Sequence, residues 1–400
     1  MDRPLHIAMF VDQHPQSLGG MQTSVRLQRK YLERLGHQVS VVAPPARHGQ
    51  PEGAAVIELP GFGVRGSEYS VSLPGRRADR VLDEALAGSA PVDVVHVQAD
   101  FWQAATGYRF AHRHRLPVVH TMHNRLDVGL RATVPFPDVV ERAMGPAMRA
   151  MLPGPTPPAR DAWGYLRVMT ERAAVVTAPS SHFARLLEER GVFDSVRVVP
   201  NGFDDDLAAE LLSVPRPQRS GRPRLVWIGR FSPEKRLLPF LDAVRRSGID
   251  AEVHVFGDGA ERARAEAAVR GLTTPDVVFR GTVPYAAMLG ELRAADALVQ
   301  TSLGFETQGM TVFEAAALGT PTILSDARIA EDLPPGSFVQ VPSGQHADDV
   351  EPLATALRSS VAALKDGRLG RVEGIDPEAV LQSRQTRLML DAYVSVLVRR

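Results

Sequence analysis

GFETQGMTVFEAAALGTP, residues 304–321, places two glutamates, Glu306 and Glu314, eight positions apart. Glu306 stands in a glycine-punctuated loop, whereas Glu314 stands in an alanine-rich run with good helix-forming composition. One interpretation is local, because Thr311 and Glu314 have the T-x-x-E spacing of a helix capping box. The alternative is a binding site in which one carboxylate lies just before a helix and the other lies one turn inside it.

The residues between the two glutamates favour an anion. Gln308, Gly309 and Met310 can turn backbone N–H groups toward a negatively charged group at the start of the helix. Carboxylates accept hydrogen bonds from hydroxyl groups, which both a hexose and a ribose offer. A phosphate site beside two carboxylates would therefore suit a sugar nucleotide.

Eleven short apolar runs are distributed along the chain, and each is followed by a turn marked by glycine or proline and then by a helical pattern. The runs are residues 6–11, 38–43, 92–97, 117–121, 173–178, 196–200, 224–229, 251–256, 276–281, 295–302 and 321–326. Runs that are apolar on both faces and alternate with helices indicate parallel sheets covered on both sides. Because one sheet of this size would be unusual, we expect an α/β fold with two doubly wound, Rossmann-like domains facing a cleft.

The domain boundary is predicted from a stretch without apolar periodicity. VPRPQRSGRPR, residues 214–224, is rich in proline, arginine, serine and glycine. We therefore expect an N-terminal domain over residues 1–200, a linker over 201–223 and a second domain over 224–376. Residues 377–400 are expected to form a helix that packs back on the N-terminal domain.

A second charged cluster follows the first strand of the second domain. GRFSPEKR, residues 229–236, places Arg230 and Lys235 on one turn between a strand and a helix. Two cations there can neutralise a pyrophosphate and stabilise it as a leaving group. A solvated basic turn is the alternative for this segment taken alone.

The two clusters together carry a resemblance to a known family. Arg230 and Lys235 form an R-x4-K arrangement, and Glu306 and Glu314 form an E-x7-E arrangement further along the chain. The order of these motifs and the strands that they follow resemble those of the retaining glycosyltransferases of family 4. The resemblance covers essentially the whole chain. That family has the two-domain glycosyltransferase-B (GT-B) fold and uses a nucleotide-activated sugar without a metal ion.

The resemblance implies a role for each of the four charged residues. Arg230 and Lys235 would hold the donor diphosphate. Glu306 would bind hydroxyls of the transferred hexose, and Glu314 would bind the ribose. The N-terminal domain would bind the acceptor, and the second domain would bind the nucleotide sugar.

The same resemblance assigns further residues to the nucleotide sugar. RGTV, residues 280–283, resembles the segment whose backbone meets the base, and FGDG, residues 256–259, would line the nucleotide pocket. The full set expected to bind the donor in the second domain is Gly257, Gly281, Thr282, Val283, Thr307, Gln308, Gly309, Met310, Thr311 and Glu314.

A glycine loop follows the first strand of the N-terminal domain. SLGGMQTS, residues 17–24, lacks the G-x-G-x-x-G spacing of a dinucleotide site. Gly19 and Gly20 would instead let the backbone approach the donor phosphate or the acceptor, as the family's glycine loop does.

His123, in HTMHN, matches the family's histidine near the transferred sugar. A histidine that follows a strand is also commonly structural, so both interpretations stay open. With His123, the candidate catalytic residues are Arg230, Lys235 and Glu306. The Asn-Gly pair at 201–202 matches a recurring family turn, and a simple turn at the domain junction explains it equally well.

The chemistry implied by the family is retaining hexosyl transfer by front-face attack. No carboxylate of the first domain stands out as a nucleophile for a double displacement. The acceptor hydroxyl would enter on the side from which the phosphate leaves, and the departing phosphate oxygen would take the acceptor proton. The donor is expected to be a UDP- or GDP-hexose of the UDP-glucose or GDP-mannose class, with no metal and no other cofactor.

The wording ETQGMT, residues 306–311, resembles the family branch that glycosylates diacylglycerol and related glycolipids. A lipid-linked acceptor is therefore expected, with a small soluble hydroxyl acceptor such as a sugar phosphate as the alternative. Residues 21–37 and 139–167 mix basic and apolar side chains, as segments on an anionic membrane surface do. A solvated helix face and an acceptor lid are the alternative for these segments. A sugar-nucleotide epimerase and a catalytically idle nucleotide-sugar-binding module are the other functional classes.

Composition limits the partners. The 46 basic and 46 acidic residues balance, so charge gives no indication of nucleic-acid binding. The absence of cysteine excludes disulfides and thiolate metal sites and suits a reducing cytosol. No apolar run approaches the length of a transmembrane helix. We expect a cytoplasmic enzyme that is peripheral on the inner face of the plasma membrane.

Overall fold

The structure is a computed structural model, and it describes residues 3–17, 19–47, 56–64, 69–216, 221–344, 346, 349–372 and 377–398. The chain divides into two compact units. Met1–Gly202 and Gln382–Arg400 form the first unit, and Phe203–Leu381 forms the second. Residues 217–220 of the expected linker and residues 373–376 at the end of the expected second domain lie outside the described residues.

The strands of the first unit are β1 (His6–Val11), β2 (Gln38–Ala43), β3 (Val56–Glu58), β4 (Phe62–Gly63), β5 (Ser70–Val71), β6 (Val94–Gln98), β7 (Val118–Thr121), β8 (Val175–Ala178) and β9 (Val196–Val198). Within the described residues, a parallel sheet has the order β3-β2-β1-β6-β7-β8-β9, and β4 pairs with β5 in an antiparallel ribbon. All residues of β1 are buried. The strand order reverses between β1 and β6, which makes their carboxyl ends the topological switch point of this sheet.

The helices that connect these strands are α1 (Gly20–Arg34), α2 (Arg76–Leu86), α3 (Trp102–His114), α4 (Leu126–Thr133), α5 (Pro137–Met151), α6 (Ala162–Thr170) and α7 (Ser181–Glu189). Side-chain caps mark two of the starts. Asp161 accepts the N–H of Gly164 at 2.7 Å before α6, and Ser180 accepts the N–H of Phe183 at 3.2 Å before α7. Such caps satisfy donors that a helix start leaves unpaired.

The second unit contains α8 (Asp205–Ser213), β10 (Arg224–Ile228), α9 (Leu237–Ser247), β11 (Glu252–Phe256), α10 (Arg262–Ala268), β12 (Asp276–Gly281), α11 (Tyr285–Ala294), β13 (Ala297–Gln300), α12 (Met310–Ala317), β14 (Thr322–Leu324), α13 (Ala327–Ala330), β15 (Phe338–Gln340) and α14 (Glu351–Lys365). A 3-10 turn at Pro233–Lys235 follows β10. The sheet order is β12-β11-β10-β13-β14-β15, and the paired strands are parallel. The order reverses between β10 and β13, so this sheet has its switch point there.

The last helix, α15 (Gln382–Val398), belongs to the first unit. It follows a second 3-10 turn at Pro377–Val380, so the helical stretch expected over residues 377–400 is two elements. Met389 and Tyr393 of α15 are buried in the same apolar cluster as Val25 and Leu32 of α1. The last helix therefore covers one face of the first sheet together with α1.

The prediction of two doubly wound α/β units is confirmed. Each of the eleven apolar runs overlaps a strand, and the parallel order of both sheets follows from the alternation of strands with helices. The strands that the pattern did not predict are β3, β4, β5 and β15, which have two or three residues each.

Candidate active site

Lys235 and Glu306 meet beyond the carboxyl ends of β10 and β13, at the switch point of the second sheet. Lys235 ends the 3-10 turn after β10, and Glu306 lies in the loop after β13. Lys235 Nζ is 2.6 Å from Glu306 Oε1, and the Ser302 hydroxyl donates to the same oxygen at 2.8 Å. This charge-assisted hydrogen bond therefore lies where doubly wound sheets bind their ligands.

Neighbouring side chains fix the backbone of the Lys235 turn. Trp227 Nε1 donates to Thr301 Oγ1 at 2.9 Å, and the Thr301 hydroxyl donates to the carbonyl oxygen of Lys235 at 2.8 Å. Trp227 lies on β10, and Thr301 directly follows β13. One hydroxyl group thus joins the two strand ends that carry the ion pair. Lys235 Nζ also lies 5.2 Å from the centroid of the Phe305 ring, which adds a cation–π contact.

Arg230 shares this loop with Lys235 but has different surroundings. Its side chain is exposed and makes no hydrogen bond or ion pair with any residue that the structure describes. The backbone beside it is fixed, because the N–H of buried Phe231 donates to Asp258 O at 2.8 Å. One loop therefore presents a lysine paired with a carboxylate and an arginine open to solvent.

Gly257 and Gly281 lie where strand ends approach each other closely. Gly257 follows β11 with φ of 124°, and a Cβ atom there would lie 1.9 Å from the carbonyl oxygen of Gly229. Its N–H donates to the carbonyl oxygen of Gly281 at 2.8 Å, and Gly281 ends β12 with φ of 68°. The ends of β10, β11 and β12 therefore meet backbone to backbone, which leaves no room for a side chain at Gly257.

Thr282 and Val283 continue from β12 toward α11. Thr282 is exposed, and Val283 packs against a small apolar cluster that contains Phe256. Since β12 is an edge strand, the segment predicted to meet the base lies at the border of the second sheet.

The start of α12 is built from backbone rather than from a side-chain cap. Gly309 is the N-cap with φ of 81°, Met310 is the first helical residue, and no side chain caps this helix. Thr311 lies inside the first turn, so the capping-box interpretation is wrong. Half-buried Thr307 and buried Gln308 lead into the turn. Gly309 therefore supplies no side-chain acceptor to the N–H groups of this turn, as suits an anion site.

Glu314 lies one turn inside α12 and is 3% exposed. The hydroxyl of Tyr285, at the start of α11, donates to Glu314 Oε1 at 2.5 Å. Glu314 Oε2 is buried without a hydrogen-bond partner among the described residues. Burial raises the pKa of Glu314 to about 7, and the Tyr285 hydrogen bond opposes that rise. The structure thus places Glu314 as a buried carboxyl group one turn inside α12, with one oxygen that has no partner among the described residues.

In the first unit, Gly19 and Gly20 form the start of α1. Gly19 is the N-cap with φ of 151°, and a Cβ atom there would lie 2.3 Å from Gln22 Oε1. The Gln22 side chain in turn donates to Gln13 Oε1. The first turn of α1 contains no acidic residue. The positive end of the helix dipole is therefore not neutralised by a carboxylate of that turn. Leu18, before these glycines, lies outside the described residues.

His123 follows β7 and is buried. Its Nε2 donates to Gln98 Oε1 at 3.0 Å, and the Gln98 amide donates to Gln28 Oε1 on α1. Burial lowers the pKa of His123 to about 4, so the ring is neutral at physiological pH. His123 is therefore a neutral imidazole held by an amide chain that reaches α1.

Two further histidines lie deeper in the same sheet. His96 contacts the hydroxyls of Thr121 and Tyr393, each at 2.7 Å. His120 contacts the hydroxyl of Tyr108 and the carbonyl oxygen of Ala99, each at 3.0 Å. Burial holds the pKa of both rings well below the ordinary value. These are core histidines whose two ring nitrogens are both satisfied.

Sequence reasoning missed two carboxyl groups at the switch point of the first sheet. Asp12 follows β1, and its Oδ2 accepts the N–H groups of Asp100 at 2.6 Å and Phe101 at 2.8 Å. Its Oδ1 accepts the N–H of Gln103 at 3.1 Å. Asp12 therefore caps the start of α3 from a distant part of the chain. Desolvation of the carboxyl raises the pKa of Asp12 to about 6.

Asp100 follows β6 and is fully buried. Its carboxylate accepts from the side chain of Asn124 and from the backbone of His123 and Asn124, while Oδ1 has no partner among the described residues. Burial, followed by the charge of Asp12, raises the pKa of Asp100 to about 7. The only sequence signal for either residue is an aspartate just beyond a buried strand.

The Asn-Gly pair at 201–202 ends the first segment of the first unit. Ser24 Oγ donates to Asn201 Oδ1 at 2.6 Å, and Gly202 N–H donates to Gln382 Oε1 at 3.1 Å. A Cβ atom at Gly202 would lie 2.4 Å from the Cα atom of Gln382. The glycine is thus required by close packing against the start of α15.

Two family models match this chain. The model for Glycosyltransferase Family 4 matches residues 18–207, and the model for Glycosyl transferases group 1 matches residues 222–362. The chain belongs to glycosyltransferase family 4. The family predicted from the two charged clusters is therefore confirmed, and each match falls largely within one compact unit of this family 4 glycosyltransferase.

The family 4 glycosyltransferase is similar to glycosyl-transferring proteins with several different names. It is 29% identical to a GDP-mannose-dependent alpha-mannosyltransferase of Mycolicibacterium smegmatis over 82% of each chain. It is 25% identical to alpha-monoglucosyldiacylglycerol synthase of Streptococcus pneumoniae over 80% of this chain and 70% of that protein. It is 26% identical to a phosphatidyl-myo-inositol mannosyltransferase of Mycolicibacterium smegmatis over 88% of this chain and 82% of that protein.

Solved structures establish the fold class. Sucrose-phosphate synthase from Thermosynechococcus elongatus superposes with a TM-score of 0.70 at 19% identity, covering all of both chains. Anabaena HepE in complex with UDP and glucose superposes with a TM-score of 0.68 at 16% identity, covering 98% of this chain and all of that one. The fold of this family 4 glycosyltransferase is therefore GT-B, as the resemblance implied.

Of the predicted catalytic residues of this glycosyltransferase, Lys235 and Glu306 contact each other. Arg230 lies in the same loop as Lys235, after β10. Gly19, Gly20 and His123 belong to the other compact unit. Over the ranges that the structure describes, no helix has the length and apolarity needed to cross a membrane. In those same ranges, no cluster of three or more His, Cys, Asp or Glu side chains is arranged to hold a metal ion.

Proposed function

We propose that this glycosyltransferase is a retaining hexosyltransferase whose donor is a nucleoside-diphosphate hexose of the UDP-glucose or GDP-mannose class. The observation that carries the proposal is the 2.6 Å contact between Lys235 and Glu306 near exposed Arg230 at one switch point. Two cations suit a diphosphate, and a carboxylate suits sugar hydroxyls. These groups therefore match both the phosphate and the sugar of a sugar nucleotide.

The proposed reaction is a front-face substitution. The acceptor hydroxyl oxygen bonds to the anomeric carbon while the bond from that carbon to the β-phosphate oxygen breaks. The departing phosphate oxygen takes the acceptor proton, so no protein base is required. Arg230 and Lys235 stabilise the negative charge that grows on the phosphate, which is where preorganised cations lower a barrier most. In this proposal the two side chains supply the positive charge, and no metal ion is needed.

The remaining predicted residues take binding roles in the proposal. Glu306 accepts hydrogen bonds from the hexose, and the N–H groups of Gly309 and Met310 donate to the sugar or phosphate. His123 lies near the transferred hexose in this proposal, as the resemblance to the family implies. Glu314 accepts from the ribose through Oε2, the oxygen that is buried without a partner among the described residues.

A lipid-linked acceptor is proposed. Its support is the ETQGMT wording together with two relatives named for diacylglycerol and phosphatidyl-myo-inositol acceptors. The start of α5 offers a second support, since Phe136 is 79% exposed and Val139 is 62% exposed. Exposed apolar side chains of this kind suit the surface of a membrane. We therefore propose a peripheral, cytoplasmic-face enzyme.

Thermal stabilisation tests the donor. UDP, GDP and their common hexose conjugates are added separately, with a chelator present, and the melting temperature is recorded. A ligand at about a hundred times its dissociation constant adds roughly 2.7 kcal/mol to the free energy of unfolding. The stabilisation should disappear in Arg230→Ala and persist in Arg270→Ala, a control at another exposed arginine of the second unit. Failure of every nucleotide to stabilise the wild type would overturn the donor assignment.

Product analysis tests the stereochemistry and the acceptor class. The stabilising sugar nucleotide is incubated with diacylglycerol vesicles in one reaction and with a hexose phosphate in another. Proton NMR of the product gives the anomeric configuration. A product with inverted configuration would refute the front-face mechanism. Transfer to the hexose phosphate alone would assign a soluble acceptor.

A further inference from the structure

The first unit contains a pocket of about 90 Å³ that the proposed donor residues do not use. Three segments line it: the loop after β1, the residues after β2, and the start of the β4–β5 ribbon's second strand. The loops after β1 and β2 follow neighbouring strands, so the pocket lies at the carboxyl edge of the first sheet, where ligands of such sheets bind. The pocket therefore has the position expected for a second substrate.

The chemistry of the lining favours an anion. Arg47 contributes a guanidinium group, His14 an imidazole, and Tyr69 a phenol. The other lining residues include the amide of Gln13 and the hydroxyl of Ser70. None of the described lining residues carries a carboxylate. A pocket rich in donors, with one permanent cation, suits a phosphate group.

The Arg47 side chain lies beside the first strand of the ribbon. A Cβ atom at Gly63, on β4, would lie 1.7 Å from Arg47 Nη1, so the guanidinium packs directly against this glycine. The Arg47 guanidinium makes no hydrogen bond or ion pair with the residues that the structure describes. Its charge therefore lies at the pocket and is available to a ligand.

His14 supplies a buried donor to the same pocket. The residue is 6% exposed, and its Nδ1 accepts the N–H of Gln16 at 3.4 Å. In a neutral ring the proton then lies on Nε2, which has no hydrogen-bond partner among the described residues. Oε1 of Glu58 lies 3.5 Å from Nε2 and already accepts the N–H of Ala46 at 3.2 Å. A buried N–H without a partner costs free energy unless a ligand satisfies it.

We propose that this pocket binds a phosphate group of the acceptor, with Arg47 and His14 as its two donors. The inference rests on the proposed glycosyl transfer and makes it more specific, because it selects acceptors in which a phosphate accompanies the reacting hydroxyl. The phosphate belongs either to a small sugar or glycerol phosphate or to a phospholipid headgroup. Both sources offer the same group to the guanidinium fork.

Phosphorus NMR titration with sn-glycerol 3-phosphate tests the small-molecule source. Loss of the guanidinium in Arg47→Ala should weaken binding on the order of 10- to 100-fold, the value of a hydrogen bond to a charged group. His14→Ala should weaken it by less, and Arg47→Lys should lie between Arg47→Ala and the wild type. Arg160→Ala is the matched control, since Arg160 is an exposed arginine of the same unit outside the pocket lining.

Vesicle sedimentation tests the lipid source. Binding to phosphatidylglycerol vesicles is compared with binding to phosphatidylcholine vesicles for the same variants. A preference for phosphatidylglycerol that is lost in Arg47→Ala but kept in Arg160→Ala supports the pocket with a phospholipid ligand. Arg47-dependent binding of glycerol phosphate without that preference supports the pocket with a small ligand.

Three outcomes would overturn the proposal: no binding of either probe, equal binding by Arg47→Ala and the wild type, or loss of binding in Arg230→Ala alone. The last outcome would assign the phosphate to the donor site of the second unit. Thermal stabilisation by UDP and GDP is measured on the same preparations. If nucleotides fail to stabilise the wild type while glycerol phosphate binds through Arg47, the proposed glycosyl transfer is refuted, but phosphate binding in this pocket is supported.

Discussion

Lys235 Nζ and Glu306 Oε1 lie 2.6 Å apart, although 71 positions separate the two residues in the chain. Both side chains are largely buried, so water screens the pair less than it would screen an exposed pair. A phosphate that entered the site would compete with Glu306 for the lysine. Lys235 is thus a cation already placed at the switch point. When its ammonium group binds a phosphate instead of Glu306, the Glu306 carboxylate becomes available to other hydrogen-bond donors.

The first prediction removes that cation. Lys235→Met should lower kcat/KM for glycosyl transfer on the order of 100- to 1000-fold, because it removes a charge that stabilises the departing phosphate. Steady-state kinetics with the stabilising sugar nucleotide measures the effect. Lys365→Met is the control, since that exposed lysine also pairs with an aspartate, Asp250, at 2.7 Å. Similar rates for both variants would contradict the assigned role.

The second prediction concerns the free energy of unfolding as a function of pH. Burial raises the pKa of Glu314 from 4.5 to about 7 in the folded state, so the folded chain binds this proton more tightly than the unfolded chain. The stability contributed by that proton is present below about pH 4.5 and is lost as the pH rises through 7. Glu314→Gln should therefore gain stability relative to the wild type between pH 5 and pH 8, by roughly 3 kcal/mol at most.

Thermal melts of both proteins at several pH values measure the difference. Glu210→Gln is the control, because Glu210 is an exposed carboxylate on α8 of the same unit. A difference for Glu314→Gln that stayed constant from pH 5 to pH 8 would show that Glu314 titrates normally.

The fold could be predicted from sequence wherever strands are buried on both faces. β1 is six buried residues long, and its bounds agree with the predicted run 6–11. β3 and β15 were missed, since each has three residues that are not fully buried and therefore no continuous apolar signal. These two are edge strands. An edge strand of this length forms because it pairs with a neighbouring strand, and its local composition does not indicate it.

The candidate site could be predicted where the spacing of charged residues along the sequence matches a known motif, as with Lys235 and Glu306. The cap that Asp12 provides to α3 could not, because 88 and 91 positions separate it from two of its backbone donors. The hydroxyl of Tyr285 that contacts Glu314 likewise comes from a different helix. Such partners depend on which strand ends the sheet order brings together, and no local spacing encodes that order.

The third prediction concerns His123. Because burial lowers its pKa to about 4, the ring is neutral throughout pH 5.5–8. The folded state disfavours its protonation, so stability is lost as the pH falls from about 6.5 toward 4. His123→Asn should lower the transfer rate about tenfold or more, by a factor that is independent of pH over pH 5.5–8. Exposed His112, on α3, is the control position. A rate ratio that changed near pH 6.5 would indicate that the ring acts in its charged form.

The fourth prediction concerns the cap of α3. Asp12→Ala leaves the N–H groups of Asp100, Phe101 and Gln103 without their carboxylate, which should cost about 2 kcal/mol of unfolding free energy. Chemical denaturation measures the loss. Asp194→Ala replaces an exposed aspartate of the same unit and should change stability little. Equal stability of the two variants would mean that water replaces the carboxylate at no cost.

The fifth prediction concerns Gly202, where the first segment of the first unit ends. In Gly202→Ala the added Cβ would lie 2.4 Å from Gln382 Cα and 2.7 Å from Gln382 N, so backbone must move. Overpacking of this kind costs about 1–3 kcal/mol, and the melting temperature should fall accordingly. Gly88→Ala is the matched control, because nothing lies within 4 Å of a Cβ atom at Gly88. If both variants melt at the wild-type temperature, the start of α15 shifts freely, and the contact between Gly202 and Gln382 does not determine where that helix begins.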